Sequence, residues 1–126
     1  MSDLFVYAFF ESVAIIAGIM WMSWLCLLIA GFSEVGWAYY LKKSDGFTQL
    51  FPSLGFLLLL GLSMGLLALA IRDIPIGIAY PVWTGIGAVG AVLVGLVFFS
   101  EPFGLLKGLF LMMIISGILG LKFLAS

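Results

Sequence analysis

Four stretches of the chain are apolar almost without interruption, and short polar breaks divide them. The first covers residues 22–41 and gives way to "KKSDGFTQ", where two lysines, an aspartate and Gly46 mark a turn. The second, residues 51–71, has only Ser53 and Ser63 as polar side chains and ends at "RDIPIG". The third, residues 76–99, stops at "SEPFG", and the fourth covers residues 105–124. Each is close to the ~20 residues that carry an α-helix across a ~30 Å hydrocarbon core. The pattern predicts an all-α membrane protein with four transmembrane helices. The breaks are short, so consecutive helices are antiparallel neighbours.

Residues 1–21, "MSDLFVYAFFESVAIIAGIMW", do not fit a four-span count. They are apolar but carry Asp3 and Glu11, and no Lys or Arg opens them, which argues against a secretory signal peptide. No proline or tight turn separates them from the first span. A single helix from Leu4 to Leu41 would be about 57 Å long, nearly twice the membrane core. Three readings are open: translation that starts at Met22, an interfacial or tilted extension of the first helix, and a fifth span, against which Glu11 argues. The chain therefore divides into an N-terminal extension, 1–21, and a four-helix domain, 22–126.

Composition agrees with the pattern and narrows the chemistry. Of 126 residues, 65% are hydrophobic and 9% charged, against about 25% charged in a soluble domain. Net charge is −1, with no basic patch for nucleic acid. Histidine is absent and Cys26 is the one cysteine, which excludes a disulfide framework, Cys/His metal sites and His-dependent nucleophilic catalysis. No phosphate-binding loop and no cofactor motif are present. For four spans, Arg72 and Lys122 lie on one side, and Lys42, Lys43 and Lys107 on the other. So even a distribution gives almost no orientation signal. It permits insertion both ways and hence an antiparallel dimer.

Glu34 is the exception within this apolar sequence. It lies well inside the first span, eight residues before Lys42. A carboxylate at membrane depth is expensive and is a functional hypothesis by default. Low dielectric disfavours its ionised form, so it can hold a proton at one moment and a cation at another. Gly31, Glu34, Trp37 and Leu41 share one helix face. Gly31 is expected to leave room beside the carboxylate, and Trp37 to give an aromatic wall whose face attracts cations.

The third span offers "GIAYPVWTGIG". Tyr80 and Trp83 share a face, where Tyr80 can donate its hydroxyl to a carboxylate and Trp83 can wall a small cavity. Pro81 removes a backbone donor four residues after Gly77, so the helix is expected to bend there. Gly85, Gly87 and Gly90 permit a bend or close helix approach. Ser63, halfway along the second span, is either a packing residue or a hydrogen-bond partner of Glu34. In the fourth span Gly108, Ser116, Gly117 and Gly120 suggest helix–helix contact, which makes it the expected dimerising helix. Four helices hardly enclose a path, whereas eight do. Two Glu34 carboxylates would then share one cavity, and protons would compete there with a cation.

The stretches "LLIAGFSEVGWAYYLKKSDGFT", "IPIGIAYPVWTGIGAVGAVLVGLVFFSEP" and "SGILGLK" are similar, in order and spacing, to the small multidrug resistance transporters. Trp37 and "WTGIGAVG" bring the resemblance closest to the guanidinium exporter subtype. The resemblance covers the chain from Met22 onward. It implies an antiparallel, dual-topology homodimer in the cytoplasmic membrane of a prokaryote. It also implies proton-coupled export of guanidinium, with Glu34 shared by protons and substrate. By resemblance Gly31, Trp37, Ser63, Tyr80 and Trp83 surround Glu34, with Ser63 and Trp83 hydrogen-bonding the carboxylate. Ser33, Pro81 and residues 1–21 depart from the family's pattern, as a subunit of a heterodimer with a related chain would. The alternatives are an exporter of quaternary ammonium or aromatic cations, against which the bulk of Trp37 argues, and a non-transporting subunit of similar size, in which a buried Glu34 has little purpose.

Overall fold

A computed structural model describes residues 1–125. It contains four helices in chain order: α1 (Ser2–Lys43), α2 (Leu50–Ala70), α3 (Ile76–Phe98) and α4 (Leu105–Ala125). All four are long and apolar enough to cross a membrane. Their ends fall within two residues of the polar breaks, apart from the start of α1. That helix runs unbroken through Met22 and is about 63 Å long.

α1 packs against α2 and α3, α3 packs against α4, and α2 approaches α3 only lightly. The core is small: Leu27 and Ala30 of α1, Leu67 and Ala70 of α2, Ile74 of the following turn, and Ala79, Val82 and Trp83 of α3. With the buried serines and glycines included, small residues dominate the interior, because apolar residues gain nothing from leaving lipid; close backbone approach and shape fit hold such helices together. Large residues point outward instead, with Phe51 82% and Leu58 76% exposed. No described residue of α4 is fully buried.

The turns are fixed by local hydrogen bonds. Ser44, fully buried, donates its hydroxyl to the Leu41 carbonyl at 2.7 Å and accepts the Phe47 N–H at 3.2 Å. The chain then passes through left-handed conformations at Asp45, Gly46 and Phe47, with φ of 48°, 67° and 65°. Only glycine adopts these without penalty. At the opposite end Asp73, in the α2–α3 turn, accepts the Ser23 hydroxyl at 2.6 Å. Nearby, the Lys122 ammonium lies 5.6 Å from the Trp24 ring centroid. Ser23 and Trp24 therefore mark the level at which the bundle ends, and residues 2–19 of α1 extend beyond it, all exposed.

Candidate functional site

Glu34 lies between the two rims. It is eleven residues past Ser23 and eight before Lys42, or about 17 Å and 12 Å along the helix. Its helix face looks toward α3, and its carboxylate lies directly on the backbone of Gly87. A β-carbon at Gly87 would overlap the carboxyl carbon and both oxygens of Glu34. Glycine is required here for close approach, and the dense glycine run of α3 supplies it. The same run works twice more. Gly90 admits the Val35 side chain from α1, and Gly85 admits Ile118 and Ile114 from α4. Gly85 and Gly87 thus serve helix packing on opposite sides of α3. Pro81 sits inside α3, one and a half turns from its start, with its side chain exposed.

One carboxylate oxygen, Glu34 Oε2, is buried and has no hydrogen-bond partner among the described residues. The indole N–H of Trp37 is in the same condition. Buried polar atoms are paired in the large majority of cases, and leaving one unpaired costs about 1–3 kcal/mol. Two such atoms three residues apart on one helix face mark a place adapted to something other than this chain's own side chains. The Trp37 ring meets Phe56 of α2 edge-on, with centroids 5.7 Å apart.

Beneath the carboxylate a hydrogen-bonded chain crosses three helices. The Trp83 indole N–H donates to Ser63 Oγ at 2.9 Å, and the Ser63 hydroxyl donates to the Ala30 carbonyl at 2.7 Å. Ser63 and Ala30 are fully buried, and Trp83 is 6% exposed. In an α-helix the carbonyl of residue 30 also accepts the N–H of residue 34. The chain therefore holds the helix turn that carries Glu34, not the carboxylate. This differs from the arrangement inferred by resemblance. Ser63 has one proton to give, and the Ala30 carbonyl lies within reach of it, whereas the carboxylate points to Gly87. Tyr80 packs its ring on Trp83 with centroids 5.3 Å apart and stays half-exposed; its hydroxyl makes no bond to Glu34.

Two other expectations change in detail. Gly31 does not leave open space, because Ile86 of α3 fills the place a β-carbon would take. Ser33 donates its hydroxyl to the Ile29 carbonyl at 2.8 Å within its own helix, which accounts for a buried hydroxyl there. Residues the sequence did not single out also enter the site. Phe56 backs Trp37 and Ile86 fills Gly31, while Gly87, expected to permit a bend or close approach, seats the carboxylate. The glycine density of "TGIGAVG" signalled close approach; which glycine meets which partner depends on the rotation of α3 against α1.

The fold and this site together define a small multi-pass membrane protein arranged around one intramembrane carboxylate. The chain belongs to the Small Multidrug Resistance protein family, whose sequence model matches residues 22–115. It is similar to curated relatives named "Guanidinium exporter". One from Proteus vulgaris is 46% identical over 101 residues, 80% of this chain and 97% of the relative. One from Yersinia pestis is 48% identical, with the same coverage. Another, from Salmonella typhimurium, is also 48% identical over 101 residues, covering 80% of this chain and 96% of the relative.

Proposed function

We propose that this protein exports guanidinium and small guanidinyl cations across the bacterial cytoplasmic membrane in exchange for protons. One observation carries the reading: the Glu34 carboxylate lies at mid-membrane on Gly87 with a buried, unpartnered oxygen. No cationic side chain of this protein answers it, since the nearest in sequence, Lys42, stands at the rim. Guanidinium is planar and offers a fork of N–H donors that matches two carboxylate oxygens. Trp37 and the Tyr80–Trp83 pair supply aromatic faces that attract a flat cation, and their bulk leaves little space for large ones.

The working unit in this proposal is an antiparallel homodimer. α4 has no fully buried described residue and packs mainly against α3, so its outer face is the natural contact between copies. Two Glu34 carboxylates then face one cavity. Like charges at close range favour retention of a proton on the pair. An arriving cation favours the ionised pair and displaces protons. Competition for the same oxygens, with the site open to one side at a time, yields exchange. In this reading residues 22–126 form the transport domain, and residues 1–21 are an extension of its first helix.

The test is reconstitution of the full chain in liposomes carrying a pH-sensitive dye. Guanidinium is expected to drive proton movement, and Glu34→Gln to abolish it. Absence of any guanidinium signal in the unmutated protein, with a signal from quaternary ammonium ions, would replace the substrate assignment. A signal that survives Glu34→Gln would remove the mechanism.

A further inference from the structure

The N-terminal part of α1 is longer than the membrane can hold in line with the bundle. The bundle ends at Ser23 and Trp24, through the bonds to Asp73 and Lys122. Phe5 is eighteen residues earlier, about 27 Å further along the axis. Standing upright, this arm would hold Phe5, Phe9 and Ile16, each more than half exposed, in water. Crossing the bilayer as a fifth span would put Glu11 near its midplane, and no Lys or Arg precedes Lys42 to pair with it.

The arm's own pattern indicates a third arrangement. Asp3, Tyr7 and Glu11 follow one another at intervals of four, and Ala14 and Gly18 continue the line. At about 100° per residue these five fall within an arc of about 60–80°. Phe5, Phe9 and Ile16 centre about 180° away. Ser12, on that apolar side, gives its hydroxyl to the Ala8 carbonyl at 2.7 Å and so asks nothing of its surroundings. Gly18 sits just before Met20, the first half-buried residue of α1, and a β-carbon there would meet nothing within 4 Å. It is the one glycine of the arm, where backbone freedom is greatest.

We propose that residues 2–17 leave the bundle axis at Gly18 and lie in the plane of the lipid interface. Phe5, Phe9 and Ile16 dip toward the acyl chains, while Asp3, Tyr7 and Glu11 face water. The bundle fixes the arm's root at the membrane rim, so the arm needs little intrinsic lipid affinity to stay down. Its acidic stripe directs that contact to zwitterionic lipid surfaces. The inference does not depend on which cation the protein carries.

Single cysteines placed at positions 5, 9 and 16, and at 7, 11 and 14, of the full chain in phosphatidylcholine nanodiscs test it. A membrane-impermeant maleimide reaches both bilayer faces there. The rate at Cys26 in the unmutated chain is subtracted, and guanidinium-driven proton movement in liposomes reports that each variant is folded. Positions 7, 11 and 14 are expected to react roughly tenfold faster than 5, 9 and 16. Six rates alike and fast would overturn the proposal in favour of an arm standing in water. Six alike and slow would overturn it in favour of a fifth span or cover by another copy.

Discussion

Two carboxylates rest on glycines of α3, and only one has the character of a working group. Glu34 lies on Gly87 and Glu101 on Gly95; in each case a β-carbon on the glycine would strike the carboxylate. The glycines are eight residues apart, about 12 Å along one helix. Glu101 comes from the exposed α3–α4 connection, and its N–H donates to the Gly95 carbonyl at 3.0 Å. There the contact closes a helix end at the membrane rim, within reach of water. Glu34 comes from α1 at mid-depth and keeps one buried oxygen without a partner. The glycine seat is common to both. Depth and the unanswered oxygen separate a helix stop from an exchange site.

That contrast can be broken by experiment. Glu34→Gln is expected to abolish guanidinium-driven proton movement in liposomes, while Glu101→Gln retains most of it. Equal loss in both would end the distinction. Next in size, Gly87→Ala forces a methyl against the Glu34 carboxylate. A displacement worth about 1–3 kcal/mol lowers transport by roughly five- to 150-fold, whereas Gly95→Ala disturbs only the rim, as initial rates at matched protein content will show. A third variant tests what lies beneath the seat. Ser63→Ala leaves the Trp83 N–H buried and unpaired, at a cost of about 1–3 kcal/mol. It should lower thermal stability in detergent, and Ser63→Thr, which keeps a hydroxyl, should restore most of it. Smallest of all is Ser33→Ala. The Ser33 hydroxyl answers only its own helix, so stability and transport should change by no more than about 0.5 kcal/mol and its equivalent in rate.

The spans and the singular status of Glu34 were legible in the sequence because both depend on composition along one dimension. Apolar runs of membrane length have few alternatives, and a lone carboxylate inside one stands out without any partner being known. The destination of the Ser63 hydroxyl was not legible. Whether it meets Glu34 or the Ala30 carbonyl depends on how α2 is rotated against α1, and a helix that is apolar all round carries no stripe to fix that rotation. Gly31 went the same way: its lack of a side chain was visible, but the Ile86 side chain that uses the space comes from another helix. Ser33 stood out only as a departure from the family's pattern; its acceptor, the Ile29 carbonyl one turn back, depends on a side-chain rotamer that sequence does not carry.

The bonds from Trp83 to Ser63 and from Ser63 to Ala30 also constrain how the molecule can move. They tie α3, α2 and α1 at one depth, so a rearrangement that keeps both bonds can pivot those helices about that point but cannot slide them past one another. α4 is outside this tie: it meets α3 through Gly85, Ile114 and Ile118, and its Lys122 lies over the Trp24 ring of α1. A shift of α4 along α3 leaves the Trp83–Ser63–Ala30 chain intact. The α3–α4 contact is thus freer to shift than the contacts among the three helices joined at Ser63.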